Sequence, residues 1–547
     1  MQSQRTAVKV LIIGAGPSGL FLAAKLTQFG IPFRIIDKHP GPSSHSKALV
    51  VDARSLELFE TLGIARDIVD NGKVIKGTQV FTSGRFRGTI PIAPTNPHIT
   101  PYPYLVLIEQ YKIEELLSKF LENSDQHVNW NSELLDFAQD TQKVFGRIKM
   151  GNDEIYEIES EWLVAADGSK SSIRHMLNLE FRGKTYSKPF FLADTEIDNN
   201  YSRDELLFGF SKHGFSGLFP LPNSENVYRV FGILHGPVSR LESLPIEQIE
   251  HSIQRNTHLP IKLSKLSMNE VYRVHKRIID NYRHGRVFFI GDAAHTMSLL
   301  GGQAMNTGIQ DAANLSWKLS LVTQKISPDS LLNTYSQERR VVLAREQKQL
   351  DTYIQALLAD NTFKRLFRQS VSRILAEETS QRPWLQNKIF KEFSQLTTHY
   401  NQSDLTSEYK VKESFTRTSP KAGDRLPPLV LTECRTNQKI SLASLLQGNF
   451  HHLFYLPAKK DWMEHLSELR ILMKQYSNSI SLHTVFADQG ASSNEFKFYN
   501  DSTQEFYARC GVKSSAFILL RPDGYIAYRS KIDIPNLEEF LNKLFLS

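Results

Sequence analysis

Residues 7–40 read AVKVLIIGAGPSGLFLAAKLTQFGIPFRIIDKHP, and this stretch decides the fold of the first part of the chain. It predicts a buried strand over residues 8–13, a glycine turn, a helix over 18–29 and a second strand over 33–37. A glycine and a proline directly after the helix forbid its continuation. The stretch therefore predicts a βαβ unit, the building block of a parallel sheet.

The glycine turn itself predicts a dinucleotide site. Gly14, Gly16 and Gly19 form GxGxxG between the strand and the helix, which lets the backbone approach a pyrophosphate at the start of the helix. Asp37 ends the second strand, where a carboxylate can accept hydrogen bonds from a ribose diol. FAD and NAD fit this fingerprint equally, so it leaves a flavoenzyme and a dehydrogenase both open.

The chain of 547 residues is too long for one hydrophobic core. Short alternating segments in its middle predict a mainly antiparallel inserted sheet, and strands alternating with helices near its end predict a small α/β domain. The predicted units are the first domain at 1–182, with an excursion near 75–105, the inserted sheet at 183–275, the return to the first domain at 276–345, a helical bridge at 346–416 and the C-terminal domain at 417–547. The fold class is α/β, with a Rossmann-like nucleotide-binding domain.

Composition limits the partners. Hydrophobic residues make up 41% and charged residues 22% of the chain, which is typical of globular proteins. The net charge of +7 is spread along the chain without a dense Lys/Arg block, so no nucleic-acid partner is expected. No stretch reaches the roughly 18 apolar residues of a membrane span, and Cys434 and Cys510 have neither disulfide-framework nor metal-ligand spacing. We therefore expect a cytoplasmic protein without a metal or a membrane span.

Two further motifs decide between the dinucleotides. Residues 167–174 match DGxxSxxR, with Asp167, Gly168 and Arg174, and residues 291–295 read GDAAH, with Gly291 and Asp292. Together with the glycine turn, in this order, they make the chain resemble the class A flavoprotein monooxygenases, a family of aromatic hydroxylases. The resemblance implies FAD as the cofactor and NADPH or NADH as the co-substrate. It also implies that the first motif contacts both nucleotides and that Asp292 binds the ribityl chain of the flavin.

Further residues match family positions beside the flavin or the dinucleotide. They are Lys47, Arg54, Gln110, Gly301, Gly302 and Asn306. The helix that starts at this last group can stabilise negative charge on reduced flavin. An ordinary surface role stays open for Lys47, Arg54 and Gln110. The chain departs from the family at Lys47, where arginine is commoner, at Leu299, where proline is usual, and at Ala304, where glycine is usual; the last two lie near the expected reaction face.

The resemblance implies a reaction with few catalytic side chains. NAD(P)H reduces FAD, oxygen adds to the flavin C4a carbon, and the hydroperoxide delivers a hydroxyl group to an electron-rich ring, while the protein supplies a dry, oriented pocket. We expect an aromatic and by preference phenolic substrate. The alternatives are a hydroxylase or epoxidase of a larger polycyclic, antibiotic-like compound and a non-catalytic flavin-binding interaction protein.

Candidate substrate-side residues are few. Tyr272 roughly corresponds to a phenol-contacting tyrosine of phenol hydroxylase, although a core or sheet-surface position explains it better. Leu49 occupies the position of the aspartate that can polarise the phenol in that enzyme, so this substrate contact is not reproduced here. No catalytic residue is assigned beyond this candidate.

The last domain is similar to the thioredoxin-like C-terminal extension of phenol hydroxylase, with Gly511 and residues 521–529 as its best-matched stretch. It lacks the redox CxxC pair, so disulfide exchange is not expected. Its predicted role is structural, with homodimer contacts included.

Overall fold

The computed structural model describes residues 6–43, 48–198, 201–222, 224–236, 244–296, 302–358, 379, 381–457, 462–487, 497–501 and 505–546. The helices are α1 (Pro17–Gln28), α2 (Ala53–Glu60), α3 (Ala65–Asn71), α4 (Gln110–Glu122), α5 (Ser172–Met176), α6 (Ile246–Thr257), α7 (Gln303–Thr323), α8 (Asn333–Leu358), α9 (Pro383–Phe393), α10 (Val411–Ser414), α11 (Leu442–Leu445), α12 (Trp462–Gln475), α13 (Glu505–Cys510) and α14 (Ile534–Leu544). Short 3₁₀ turns occupy Gly291–Ala293 and Asp329–Leu332.

The first sheet is built around the strand that precedes the glycine turn. Thr6–Ile13 runs parallel to Phe33–Ile36 on one side and to Ile155–Ala165 on the other. Val10, Leu11 and Ile12 are fully buried because this part of the strand is covered on both faces. The path across the sheet is Arg283–His284, Val287–Phe289, Ile155–Ala165, Thr6–Ile13, Phe33–Ile36 and Val128–Asn129, and Val144–Lys149 and Glu133–Gln139 extend it from Ile155–Ala165. The predicted βαβ unit is confirmed.

The second sheet is mainly antiparallel, as the alternating sequence predicts. Its path is His295–Thr296, Leu263–Ile278, Arg182–Ile197, Val227–Ile233, Phe215–Pro220, Glu205–Phe210, Gly77–Thr82 and Arg85–Pro91. One face packs on α6, and the opposite face carries an aromatic cluster. A small sheet of Val50–Val51, Leu105–Leu107 and Lys73–Ile75 lies beside that aromatic face.

The third sheet forms the C-terminal domain. Its path is Ser407–Tyr409, Ile526–Lys531, Ala516–Leu520, His451–Leu456, Ile480–Phe486, Lys497–Asn500, Val430–Glu433 and Lys439–Ser441. Ser407–Tyr409 lies within the segment predicted as a helical bridge. It forms a strand instead, because its backbone pairs in parallel with Ile526–Lys531. The α/β character of this domain is confirmed, and the narrower thioredoxin-like assignment stays a prediction.

The first and third sheets share one apolar core. Leu315 and Trp317 of α7 belong to the same buried cluster as Leu453 and Phe517 of the third sheet. The C-terminal domain therefore packs directly on α7 and is not connected to the first domain by a linker alone. Among the helices that the structure describes, none combines the length and the apolar character required to cross a membrane.

Candidate active site

Three glycines shape the turn before α1. Gly14 has a φ of +106°, and a Cβ atom there would lie 2.3 Å from the carbonyl oxygen of Ala166. A Cβ on Gly19 would lie 2.0 Å from the Gly14 carbonyl oxygen, whereas a Cβ on Gly16 would meet no described atom within 4 Å. Gly16 is the residue before the first turn of α1, so the positive end of that helix adjoins open space. This is a cradle of the kind that a pyrophosphate requires.

Asp37 lies beside this turn. Its Oδ2 accepts a hydrogen bond of 2.8 Å from the Ala15 amide, and its Oδ1 accepts one of 2.9 Å from the His39 amide. Each carboxylate oxygen retains a lone pair for a further donor. The structure thus brings Asp37 to the glycine turn, as the ribose prediction requires, and the contact with ribose stays a prediction.

Asp167 and Gly168 follow the neighbouring strand and close the other side of the turn. Asp167 Oδ2 accepts a 2.8 Å hydrogen bond from the Ser172 amide. Its Oδ1 is buried and accepts none from the described residues, and burial raises the pKa of the carboxyl group. Since buried polar atoms are nearly always paired, the orphaned oxygen suits a ligand group that donates to it.

Arg174 connects two of the predicted cofactor segments. Its Nη1 donates to the Ala293 carbonyl oxygen at 3.1 Å and its Nη2 to that of Ser169 at 2.7 Å, while the guanidinium lies 4.0 Å from the centre of the Phe181 ring. The side chain is buried. Arg174 therefore holds the Asp167 loop against the GDAAH segment, and its direct contact with either nucleotide stays a prediction.

The GDAAH segment meets α1 and α7 at a point where only glycine fits. Gly291 has a φ of +57°, and a Cβ there would lie 2.7 Å from Ser18 Oγ. A Cβ on Gly308 of α7 would lie 2.2 Å from the same oxygen. Asp292 is exposed at this junction, which suits a carboxylate expected to accept hydrogen bonds from a polyhydroxylated chain.

Sequence reasoning missed the carboxylate that fixes this segment. Asp311 Oδ2 accepts a 3.1 Å hydrogen bond from the Gly291 amide and lies 2.6 Å from His295 Nε2, and its Oδ1 accepts one of 2.7 Å from Arg339 Nε. Burial works to raise the pKa of Asp311, but His295 and Arg339 outweigh it and hold the pKa below its ordinary value. A charged residue within the apolar run of a predicted helix was the available signal.

The start of α7 is tied to the segment before α2. Asn306 Nδ2 donates to the carbonyl oxygens of Val50, at 2.9 Å, and Gly302, at 2.8 Å, and its Oδ1 accepts a 3.2 Å bond from the Asp52 amide. Gly302 has a φ of +64°. The structure therefore brings Gly302 and Asn306 together. Their place beside the flavin stays a prediction. Lys47, Leu299 and Gly301, for which the sequence also makes predictions, lie outside the described residues.

Gln110 and Arg54 have protein partners in the structure. Gln110 Nε2 donates to Glu114 Oε1 at 2.8 Å. Arg54 is buried, and it donates to Glu57 Oε2 at 3.1 Å and to the Asp523 carbonyl oxygen at 2.7 Å. Its guanidinium thus faces the C-terminal domain, and the predicted dinucleotide contacts of both residues stay predictions.

The aromatic face of the second sheet adjoins this site. Tyr272 stacks on Phe190 with ring centres 5.8 Å apart, and burial raises the pKa of its hydroxyl group. The aromatic members of the cluster are Tyr186, Phe190, Phe208, Phe210, Phe215, Phe219, Phe231 and Tyr272. Phe208 and Phe219 also pack in the cluster that contains Val50, so the face reaches the segment bound to α7. This places Tyr272 on a wall suited to an aromatic ring, and a substrate contact stays a prediction.

The glycine turn, Asp37 and the Asp167 loop meet at the strand ends of one parallel sheet. This arrangement is typical of a dinucleotide-binding protein, and here an antiparallel sheet is inserted into it. The open space at Gly16, the orphaned Asp167 Oδ1 and the exposed Asp292 suit the pyrophosphate and hydroxyl groups of FAD. The chain belongs to the FAD-binding domain family, whose model matches residues 7–349.

The chain is similar along most of its length to two monooxygenases. It is 29% identical over 540 residues to the 6-methylpretetramide 4-monooxygenase of Streptomyces rimosus, covering 97% of this chain and 92% of that protein. It is 28% identical over 541 residues to the pentachlorophenol 4-monooxygenase of Sphingobium chlorophenolicum, covering 97% and 95%. The flavin-dependent monooxygenase PieE, solved with FAD and substrate, superposes with a TM-score of 0.78 at 19% identity, covering 98% of both chains. At that identity the structural likeness shows the fold alone.

Replacing Asp292 by alanine is expected to weaken FAD binding by about 1–3 kcal/mol, because ligand hydroxyl groups lose their acceptor. Titration of the apoprotein with FAD measures the change. Asp70→Ala is the control, since this exposed aspartate pairs with Arg66 on the same short helix. Equal FAD affinity in both variants would assign GDAAH a purely structural role.

Proposed function

We propose that this protein is an FAD-dependent monooxygenase that uses NAD(P)H and O₂ to hydroxylate an aromatic, phenolic substrate. The observation that carries the proposal is the convergence of the dinucleotide cradle, the start of α7 and the aromatic face of the second sheet. Phe208 and Phe219 join that face to Val50, and Val50 is bonded to Asn306. A ring held on the face would therefore lie beside the predicted flavin position.

In this proposal the chain binds and orients, while FAD supplies electron transfer and oxygen activation. Gly14, Gly16 and Asp37 would hold the adenosine and pyrophosphate part of FAD. Asp167 and Asp292 would accept hydrogen bonds from hydroxyl groups of FAD, and Asp292 from those of the ribityl chain. The first turn of α7 directs its amide groups and positive dipole end toward negative charge on the flavin ring. The aromatic wall excludes water from the reacting ring, which limits wasteful side reactions.

A larger polycyclic substrate is the second candidate. The aromatic face is wide, since its cluster extends across neighbouring strands from Tyr272 to Phe208. Among the similar proteins, one is named for a pretetramide and one for a chlorinated phenol, so both substrate sizes occur on chains of this length. Substrates of either size share an electron-rich ring, the group that the proposed reaction requires.

We further propose a cytoplasmic location and a homodimer joined through the C-terminal domain. The free cysteines Cys434 and Cys510 favour a reducing compartment. Met463 and Ile471 of α12 expose 66% and 71% of their surface, so this helix offers apolar side chains that a second copy of the domain would cover. Sedimentation of the holoenzyme would determine the assembly state.

The purified protein is expected to carry releasable FAD and to oxidise NAD(P)H faster when a suitable aromatic compound is present. Monocyclic phenols and polycyclic phenols would be screened separately, with product mass as the second readout. A gain of one oxygen atom in a substrate-dependent manner supports the proposal and selects between the two substrate sizes. FAD binding without stimulated NAD(P)H oxidation by either series would favour a non-catalytic flavin-binding protein, and a protein that cannot bind FAD would contradict both.

A further inference from the structure

We infer that the turn Arg521–Gly524 of the C-terminal domain positions α7, and through α7 the flavin site. The inference rests on the proposed function only in taking FAD as the group beside the start of α7. It assigns Arg521 and Asp523 as positioning residues, which act on the predicted flavin site through α7 and α2.

The turn grips the second half of α7 and the start of α8. Arg521 donates to both carboxylate oxygens of Glu338, Nη1 at 2.7 Å and Nη2 at 2.9 Å. The same carboxylate accepts hydrogen bonds from Asn314 Nδ2 at 2.7 Å and from Lys318 Nζ at 2.8 Å. Asp523 Oδ2 accepts one of 3.2 Å from the indole nitrogen of Trp317. Trp317 is thus bound directly to the turn, and Asn314 and Lys318 are bound to it through Glu338.

This network is buried and charged. Arg521, Lys318 and Glu338 are almost completely shielded from water. Burial alone would raise the pKa of Glu338, yet Arg521 and Lys318 hold it well below its ordinary value. Buried ion pairs contribute little net stability because desolvation offsets their attraction, but breaking one leaves an uncompensated charge. What such a network supplies is a fixed distance and direction between its partners.

A second part of the network reaches the cofactor motif. Arg339 Nη1 donates to the Tyr400 hydroxyl group at 3.0 Å, and its Nε donates to Asp311 at 2.7 Å. The Arg521 guanidinium lies 5.0 Å from the centre of the Tyr400 ring. Asp311 in turn accepts the Gly291 amide. A continuous line of contacts therefore joins Arg521 to the GDAAH segment.

The turn also binds α2, the helix that follows the flavin-side segment. The Asp523 carbonyl oxygen accepts a 2.7 Å hydrogen bond from Arg54. Asp52 caps α2 through Ser55 and donates its amide to Asn306 at the start of α7. The turn thus holds both elements, α2 and α7, whose starts meet beside the predicted flavin ring. A shift of the turn would move both of them together.

The test compares two buried arginines of the same hairpin. Arg529 is also buried, but its partners are Glu408, Ser419 and Pro420, none of which belongs to the first domain. Arg521→Met and Arg529→Met should both lower the unfolding temperature of the full-length holoenzyme. Only Arg521→Met should release FAD at least tenfold faster and change the visible circular dichroism of the bound flavin, and Arg521→Lys should recover part of both.

A milder pair covers the case in which Arg521→Met does not fold. Trp317→Phe removes the donor to Asp523, and Trp162→Phe removes an indole nitrogen that is buried and, in the described part of the chain, unpaired. FAD release at least threefold faster in the first variant alone is the expected result. Equal release in both tryptophan variants, or equal effects of Arg521→Met and Arg529→Met on release, would overturn the inference. Wild-type protein without FAD would instead overturn the proposed function.

Discussion

Gly14→Ala is expected to abolish FAD binding and to lower the free energy of unfolding by roughly 2–6 kcal/mol, the combined cost of overpacking and of an unfavourable backbone conformation. The new Cβ atom would lie 2.3 Å from the carbonyl oxygen and 2.6 Å from the carbonyl carbon of Ala166. Both are backbone atoms of the adjacent strand end, so no side-chain rotation can relieve the clash. The φ of +106° adds strain for any residue with a side chain.

Gly16→Ala is the matched control for this prediction. Its φ is −74°, which alanine adopts without strain, and a Cβ there meets no described atom within 4 Å. The variant should unfold at the wild-type temperature and still bind FAD more weakly, because the methyl group enters the space assigned to the pyrophosphate. Urea unfolding and FAD titration of both variants measure the two effects. Unchanged FAD affinity in Gly16→Ala would show that the dinucleotide does not use this cradle.

The parts of the fold with a local signal could be predicted from the sequence. The glycine turn places three glycines within six residues, and the strand before it is apolar from Val10 to Ile13, where both faces are covered. The predicted helix 18–29 and the predicted strand 33–37 agree with the structure to within one residue at each end. Alternating segments likewise identified the inserted sheet. These features depend on residues close together in the chain, which is why a single sequence reveals them.

The contacts between distant segments could not be predicted. The resemblance implies that Arg54 lies beside the dinucleotide, but nothing in the sequence indicates that its guanidinium also donates to the Asp523 carbonyl oxygen. The roles of Asp311 and Glu338 depend on Arg339 and Arg521, which approach them only after folding. The strand Ser407–Tyr409 has no apolar pattern and exists because Ile526–Lys531 offers it a free edge. Tertiary pairing decides all of these features.

Mild acid is expected to destabilise the C-terminal domain strongly. His451, His452 and His483 are buried in the third sheet. His452 Nδ1 lies 2.9 Å from His483 Nε2, and His483 Nδ1 lies 3.2 Å from the Tyr499 hydroxyl oxygen. Burial lowers the pKa of His452 to about 3 and lowers the pKa values of His451 and His483 well below the ordinary value. Burial in the folded protein therefore favours the neutral form of all three imidazoles.

Whether acid stabilises or destabilises the protein depends on which state, folded or unfolded, binds protons at the higher pH. As the pH falls below about 6.5, each histidine takes a proton in the unfolded chain but not in the folded one, so stability present above that pH is lost. A histidine that stays neutral in the folded state contributes up to about 1.4 kcal/mol per pH unit. Asp52 acts in the opposite sense, because burial raises its pKa to about 7 and the folded state takes that proton first. The acid dependence of the whole protein is therefore smaller than the sum of the three histidine contributions.

Comparing His451→Leu and His127→Leu with the wild-type protein isolates the contribution of one buried histidine, because all other titratable groups are the same. Neither ring nitrogen of His451 has a hydrogen-bond partner among the described residues, so His451→Leu removes a buried imidazole without orphaning a neighbour. Urea unfolding at saturating FAD, repeated from pH 7 to pH 5, should give this variant an acid dependence shallower than wild type by about 1.4 kcal/mol per pH unit. His127→Leu replaces an exposed histidine and should keep the wild-type dependence. The same slope in all three proteins would mean that His451 takes up its proton in the folded state, and that burial in the third sheet does not exclude the charged form.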